Sequence, residues 1–319
     1  MEAFVKPFIV VCDGMDADVF ASLQAVSEFD VHPKAKLTQD EIKELLPKAS
    51  ALVIRSATKV QEEYLELAPN LKYVIRAGAG TDNIDKVKCG ERGVKVSNTP
   101  GANNNSAAEH AVALMMTVLR HTAAADATMK NGGWDKSKYT GNELTNKKVG
   151  IVGFGQIGKI VAKRLQGFEP EVKFFDPFCE SSDLAYVSKA QSVEEIFETC
   201  DIITLHTPLM EETKGMINKD LFNKMQSHAI LVNASRGGIV NEEDLVSALK
   251  EGKLKAAGFD VFATEPLEED SPLRQIPNLV LTPHLGAATD EAQLRVGEMA
   301  VNQLKEYFLN DNLLHEVKA

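Results

Sequence analysis

The sequence predicts an α/β protein built from two doubly wound parallel sheets. Three observations predict it. Short apolar, β-branched runs alternate along the chain with stretches of helical periodicity, the pattern of parallel strands covered by helices on both faces. The 319 residues exceed what one hydrophobic core usually organises, which favours two domains. One of the strand-to-helix junctions, Gly153-Phe154-Gly155-Gln156-Ile157-Gly158, carries a G-x-G-x-x-G spacing, while the first third of the chain has none.

The first 98 residues read as a small parallel sheet. Residues 8–12, 52–54, 73–75 and 94–96 are its apolar strands, and 19–26 has helical spacing. Thr38-Gln39-Asp40-Glu41 is a capping box that opens another helix. Asn98-Thr99-Pro100-Gly101 breaks the pattern and marks a domain crossing. A single long helix rich in Ala, Met and Leu is expected from about 105 to 130, stopped by Asn131-Gly132-Gly133. Its apolar stripe serves packing or a subunit interface.

From Lys148 a regular series follows. Strands are expected at 148–153, 172–175, 202–205, 230–232, 257–259 and 279–281, with helices at 157–165, 193–199, 219–225 and 242–251. Six strands complete a doubly wound sheet. A last amphipathic helix at 290–308 then returns to the first domain. The expected organisation is 1–98 plus 291–319 as one discontinuous domain and 99–290 as the other.

Composition narrows the function. Lys plus Arg is 35 against 46 Asp plus Glu, a net charge of −11, which argues against nucleic acid or an anionic membrane as partner. An anionic substrate would need a local cluster of cations. Cys12, Cys89, Cys179 and Cys200 are scattered, with no C-x-x-C, so reduced thiols in a cytoplasmic protein are expected and no metal site is. No apolar run approaches 18 residues, and the N-terminus lacks a secretion signal.

The glycine-rich turn points to chemistry. An apolar strand ends at Gly153, and helical spacing starts at Ile157. Gly153 allows the turn, Gly155 lets backbone approach a pyrophosphate, and Gly158 lets the helix pack on the strand. The diphosphate would sit on free N–H groups at the helix N-terminus, with the dipole favouring its charge. A second strand then ends in Asp176, placed as a ribose-binding carboxylate would be. A carboxylate repels a 2′-phosphate, and Pro177-Phe178-Cys179 offers no cation to bind one, so NAD is favoured over NADP. A glycine-rich turn without a ligand is the alternative.

In open α/β sheets, ligands bind beyond the carboxyl ends of the strands. There the chain supplies His206-Thr207-Pro208, Ala234-Ser235-Arg236, Asp260 followed by Thr264-Glu265-Pro266, and Thr282-Pro283-His284-Leu285-Gly286. An Arg, a Glu and a His fit the oxidation of an alcohol beside a nicotinamide. Histidine, with an ordinary pKa of about 6.5, suits transfer of the hydroxyl proton. A carboxylate on its far nitrogen fixes the tautomer, and Arg binds a substrate carboxylate bidentately. Glu265 could instead be a turn residue and Arg236 an ion-pair partner. His206 and His284 compete for the proton, and spacing does not choose between them.

These motifs resemble one family. The chain is similar to the D-isomer-specific 2-hydroxyacid dehydrogenases from about Val53 to the last helix. The match runs through the 153–158 turn, His206-Thr207-Pro208-Leu209, Ala234-Ser235-Arg236-Gly237-Gly238-Ile239-Val240, Asp260-Val261-Phe262-Ala263-Thr264-Glu265-Pro266 and Pro283-His284-Leu285-Gly286-Ala287. The resemblance implies two Rossmann-like or flavodoxin-like domains with the active site in the cleft between them. It implies Arg236 as binder of substrate and transition state, Glu265 as the acid that orients the histidine, and His284 as the acid/base. It implies NAD contacts from the 153–158 turn, Asp176, His206, Thr207, Pro208, Ala234, Ser235, Asp260, His284 and Gly286. It implies substrate contacts from Arg55, Arg76, Ala79, Gly80, Asn103, Lys136, Arg236 and His284.

Arg55, Arg76 and Lys136 match positions that are basic in members acting on a phosphorylated acid. That implies oxidation of D-3-phosphoglycerate to 3-phosphohydroxypyruvate, at the head of serine synthesis. Ala79 departs from a common threonine, and Lys136 keeps the charge of an arginine without its fork. Glyoxylate or hydroxypyruvate reduction is the alternative within the family, and an NAD-sensing binding protein is the alternative outside enzymes. A short form without C-terminal regulatory domains, and a homodimer or tetramer built through the long helix, are also expected.

Overall fold

The computed structural model describes residues 5–319. The chain divides into two compact units: the residues up to Asn103 together with Ala287–Ala319, and Asn104–Gly286.

The first unit holds a five-stranded sheet. Its strands are β1 (Phe8–Val11), β2 (Asp30–Val31), β3 (Ala51–Ile54), β4 (Tyr73–Arg76) and β5 (Lys95–Asn98), in the order β2-β1-β3-β4-β5 and parallel throughout. Helices α1 (Ala17–Gln24), α2 (Gln39–Leu45), α3 (Glu62–Glu66) and α4 (Lys86–Glu91) connect them. Thr38 caps α2 as the sequence predicts: its hydroxyl accepts the Glu41 N–H while Glu41 accepts the Thr38 N–H. All four residues of β3 are buried, which is why that strand reads as a continuous apolar run rather than an alternation. One face of the sheet (Ile9, Val11, Tyr73, Ile75) packs on Val296, Ala300 and Leu304 of the C-terminal helix, Asp290–Asn310. Gly297 makes that approach close: a Cβ there would lie 3.1 Å from Val19 of α1.

The second unit holds seven strands: β6 (Lys148–Val152), β7 (Glu171–Phe175), β8 (Val187–Lys189), β9 (Ile202–Leu205), β10 (Ile230–Asn233), β11 (Ala256–Phe259) and β12 (Leu279–Leu281). Their order is β12-β11-β10-β9-β6-β7-β8, again parallel throughout. The chain enters at β6, winds outward to β8, then returns to the other side at β9. The strand order therefore reverses between β6 and β9, the point where such sheets open a crevice. Helices α5 (Asn104–Arg120), α6 (Thr122–Lys130), α7 (Gln156–Leu165), α8 (Val193–Thr199), α9 (Lys219–Lys224) and α10 (Glu242–Lys250) complete the unit.

Three expectations need correction. The second sheet has seven strands rather than six, because β8 is a three-residue edge strand with only Val187 buried and no apolar pattern to announce it. β2, two residues long and also at an edge, was equally invisible. The long helix is two helices: His121 adopts a left-handed conformation (φ 54°) that ends α5, and α6 starts beyond it with no buried residue. All four cysteines are free. Among the described residues no helix is long and apolar enough to cross a membrane, and no group of three or more His, Cys, Asp or Glu could hold a metal ion.

Candidate active site

Because every strand of the second sheet is parallel, the ends of β6, β7, β9, β10, β11 and β12 share one edge. The glycine turn lies at the middle of that edge. Gly153 has φ 90°, and a Cβ there would sit 2.6 Å from the His206 carbonyl carbon. Gly158 lies in the first turn of α7, where a Cβ would meet the Gly153 carbonyl oxygen at 2.2 Å. Gly155 differs from both: nothing lies within 4 Å of its Cβ position, and its own φ is an ordinary −74°. It is the N-cap of α7 and brings no side-chain hydrogen bond to the helix N-terminus. The turn thus leaves uncapped backbone donors and open space together, as a diphosphate requires. The Phe154 ring is stacked on Phe174 in the core, 4.0 Å between centroids, so only its backbone belongs to the turn. Gln156 is exposed and Ile157 half-buried at the start of α7.

Asp176 follows β7 and is half-buried. One carboxylate oxygen accepts the Phe154 N–H at 2.7 Å and the other the Phe178 N–H at 2.8 Å, which ties it to the glycine turn. At the end of β9 the Thr207 hydroxyl is buried with no hydrogen-bond partner. A buried polar atom without a partner is costly, and a bound ligand that hydrogen-bonds to it removes the cost. The open Gly155, the uncapped helix, Asp176 and this hydroxyl fit NAD. His206 Nε2 lies 3.0 Å from the Thr204 hydroxyl, and burial pulls its pKa down to about 4, so the ring is neutral near pH 7. Pro208 beside it is exposed.

The loop after β10 carries Ala234, Ser235 and Arg236. Asn233, buried at the strand end, accepts from the Ser235 N–H (3.1 Å) and hydroxyl (2.8 Å) and donates to the Arg236 carbonyl (3.0 Å). Arg236 Nη1 donates to the Ser235 carbonyl at 2.7 Å. A Cβ at Gly237 would collide with the Phe262 carbonyl oxygen, so this loop and the one after β11 touch backbone to backbone.

The loop after β11 reaches that after β12. His284 Nδ1 donates to Glu265 Oε2 at 2.7 Å, and Glu265 Oε1 accepts the Phe262 N–H at 3.0 Å. Partial burial would raise the Glu265 pKa, but the hydrogen bond and charge of His284, then the Phe262 N–H, hold it below the ordinary carboxylate range. Nδ1 is thereby committed, and Nε2 is the nitrogen left to exchange a proton. His284 has φ 54°, uncommon outside glycine. Asp260, fully buried, holds that conformation. Its carbonyl accepts the His284 N–H (2.8 Å), and its carboxylate accepts the Leu285 N–H (2.7 Å), the Gly286 N–H (2.9 Å) and the Thr282 hydroxyl (2.6 Å). Burial would raise the Asp260 pKa too, but hydrogen bonds from His110, Thr282 and the Leu285 N–H keep it low.

His110 was missed from the sequence. It comes from α5, and its Nε2 lies 3.0 Å from Asp260 Oδ1 and 3.2 Å from the Thr282 hydroxyl. No spacing could pair residues 172 apart along the chain. Asn233 was also missed, yet it left a signal: a polar residue ending the otherwise apolar Ile230–Asn233 strand.

The remaining candidates lie apart from this edge in the chain. Arg55 and Arg76 stand half-buried at the ends of β3 and β4 in the first unit, and β3 pairs with β4 so that Ile54 faces Arg76. The loop with Ala79 and Gly80 follows, held by the Asn98 amide on the Ala79 carbonyl (2.5 Å). Arg76 folds over Gly78, whose missing Cβ gives the guanidinium its room. The Asn103 side-chain oxygen is buried without a hydrogen bond. Lys136 is exposed, in the second unit, just before a short 3₁₀ turn.

Comparison with known proteins adds four findings. Residues 112–286 match the family described as D-isomer specific 2-hydroxyacid dehydrogenase, NAD binding domain. The chain is 43% identical over 269 residues to a D-3-phosphoglycerate dehydrogenase of Archaeoglobus fulgidus, covering 84% of this chain and 51% of that protein. It is 41% identical over 298 residues to a hydroxypyruvate reductase of Thermotoga maritima, covering 92% and 96%. It therefore spans about half the length of the first relative and nearly all of the second. Among solved structures, an NAD-dependent formate dehydrogenase of Staphylococcus aureus in complex with NAD superposes with a TM-score of 0.87 at 28% identity, over 98% of this chain and 99% of that one.

Proposed function

The chain belongs to the D-isomer-specific 2-hydroxyacid dehydrogenases, and from that premise we propose that it oxidises D-3-phosphoglycerate to 3-phosphohydroxypyruvate with NAD, a step that opens serine synthesis. The single observation that carries the chemistry is the 2.7 Å bond between Glu265 and His284 on the sheet edge that also holds the glycine turn. Bound NAD supplies the acceptor for the hydride that leaves the hydroxyl-bearing carbon. His284 Nε2 takes the hydroxyl proton. Glu265, kept ionised, stabilises the imidazolium that results and fixes its tautomer. Arg236 binds the substrate carboxylate and polarises the carbonyl as it forms. The turn at Gly153–Gly158 would hold the diphosphate of NAD, Asp176 would accept from the ribose hydroxyls, and the Thr207 hydroxyl would hydrogen-bond to the cofactor.

The finer assignment to a phosphorylated acid rests on Arg55, Arg76 and Lys136. Hydroxypyruvate reduction is the second reading, favoured by the Thermotoga relative that matches almost end to end. A homo-oligomer belongs to the same proposal: α6 buries nothing of its own, and Met129 near its end and Trp134 just beyond it are exposed, a surface a second copy would cover. The test is NADH formation from 3-phosphoglycerate, glycerate and lactate measured in parallel. The highest kcat/KM with 3-phosphoglycerate supports the proposal. Preference for glycerate, with hydroxypyruvate as the better substrate in reverse, supports the second reading. No turnover with any of them removes both.

A further inference from the structure

We propose that Asp13 and Asn83 are positioning residues for Arg55: they clamp the Arg55–Thr58 turn from opposite sides and so place its guanidinium. The inference rests on the reading of Arg55 as a substrate-binding cation. The turn follows β3 and lies outside any strand ladder or helix, so its backbone polar groups need other partners. Two side chains supply them. Asp13, just beyond β1, accepts the Arg55 N–H at 2.6 Å and the Thr58 N–H at 3.1 Å on one oxygen, and the Thr58 hydroxyl at 2.6 Å on the other. Asn83, from the loop between β4 and α4, donates from one amide nitrogen to the Arg55 carbonyl (2.7 Å) and the Thr58 carbonyl (2.6 Å). Asn83 is itself anchored, because its own carbonyl accepts the Val60 N–H at 2.9 Å. Thr58 is fully buried.

The clamp also settles where charge is left over. The Asp13 carboxylate is committed to three donors of the turn, and none of them is the guanidinium it sits near. Among the described residues Arg55 has no ion-pair partner, although burial disfavours its charge and only the field of Asp13 offsets that. A desolvated cation on a rigid turn is poised for an anion. A cation on a loose turn would spend binding energy on ordering itself. The turn is fixed by side chains 42 and 28 positions away rather than by hydrogen bonds of its own backbone.

The test is a double-mutant cycle on the KM of whichever hydroxy acid is turned over best. Asn83→Ala and Thr58→Val are combined with Arg55→Ala, and melting temperature and NADH Kd are followed for each protein. Thr58→Val keeps the buried shape, so the cycle stays readable if Asn83→Ala folds poorly. Asn83→Ala is expected to raise KM about tenfold and Thr58→Val about threefold, with kcat and NADH Kd changed less than about twofold. Thr58→Ser, which keeps the hydroxyl, restores KM. In the Arg55→Ala background both substitutions become silent. Equal fold-changes with and without Arg55 overturn the clamp, and so does an unchanged KM in Asn83→Ala and Thr58→Val when Arg55→Ala raises it. Running the cycle on the best substrate keeps the two ideas apart: preference for an unphosphorylated acid sinks the phosphate assignment, while coupling between Asn83 and Arg55 still upholds the clamp.

Discussion

Alanine at two glycines of one turn should have opposite consequences. At Gly155 the backbone is already in a region open to any residue, and the new methyl meets no protein atom within 4 Å. Lower chain entropy in the unfolded state favours alanine by up to about 1 kcal/mol, and loss of a good N-cap residue opposes it by a similar amount. Gly155→Ala should therefore melt within about 4 °C of the parent. On the proposed placement, the methyl would occupy the space where the diphosphate approaches the α7 N-terminus. Loss of one hydrogen bond to a charged oxygen, about 1.5–3 kcal/mol, weakens NADH binding roughly 10- to 150-fold. At Gly158 the methyl would stand 2.2 Å from the Gly153 carbonyl oxygen, so backbone must move. That costs about 1–3 kcal/mol, several degrees of melting temperature, before any ligand is added. Melting curves of the free proteins and NADH fluorescence titrations separate the two. A Gly155→Ala protein that binds NADH as tightly as the parent would refute the placement of the diphosphate. One that melts as low as Gly158→Ala would refute the reading of open space.

Asp176→Ala should shift cofactor preference toward NADP, read as the ratio of kcat/KM values for the two dinucleotides; an unchanged ratio contradicts the ribose role. His206 binds its proton at about pH 4 when folded and near 6.5 when unfolded. The unfolded chain therefore holds more protons between those values, and stability falls as pH drops through that window. From pH 7 to pH 5 this one group should remove about 2 kcal/mol of unfolding free energy. His206→Asn should flatten that part of the profile in urea titrations, and an identical pH dependence in the variant counts against a buried neutral ring. For Asp260 the sign is the same, from the opposite chemistry: its carboxylate is held below its ordinary range, so the stability it contributes is complete near neutrality and is lost in acid. Asp260→Asn should cost about 1–3 kcal/mol even at pH 7, because an amide cannot accept from Leu285, Gly286 and Thr282 together. A variant as stable as the parent in urea would show that Asp260 does not hold the His284 loop.

Much of the fold is legible because the helices and most strands announce themselves by period and by caps. Thr38 and Ser192 mark helix starts through hydrogen bonds only three residues long. The edge strands β2 and β8 are not legible, since an edge needs few buried residues and so leaves no apolar pattern. The break at His121 depends on one residue taking a positive φ, which no propensity scale marks in advance. In the second unit the glycines are legible because a Cβ at Gly153 or Gly158 would run into backbone. Glu265 and His284 are visible as residue types at strand ends, yet their partnership is a fact of tertiary structure. The same holds for His110, which reaches Asp260 and Thr282, and for Asp13, which holds Arg55 and Thr58, each acting on a loop far away in the chain. Sequence spacing carries local geometry well and says little about which distant loop a side chain will hold.

The most direct measurement is NADH formation by His284→Gln beside the parent, with the best hydroxy-acid substrate at saturation and NADH affinity measured on the same proteins. Loss of about 10²–10⁴ in kcat with NADH Kd unchanged within about threefold is expected, since the proton transfer alone is removed. A His284→Gln enzyme that keeps more than a tenth of the parent turnover would contradict the assignment of Glu265 and His284 as the groups that move the substrate proton.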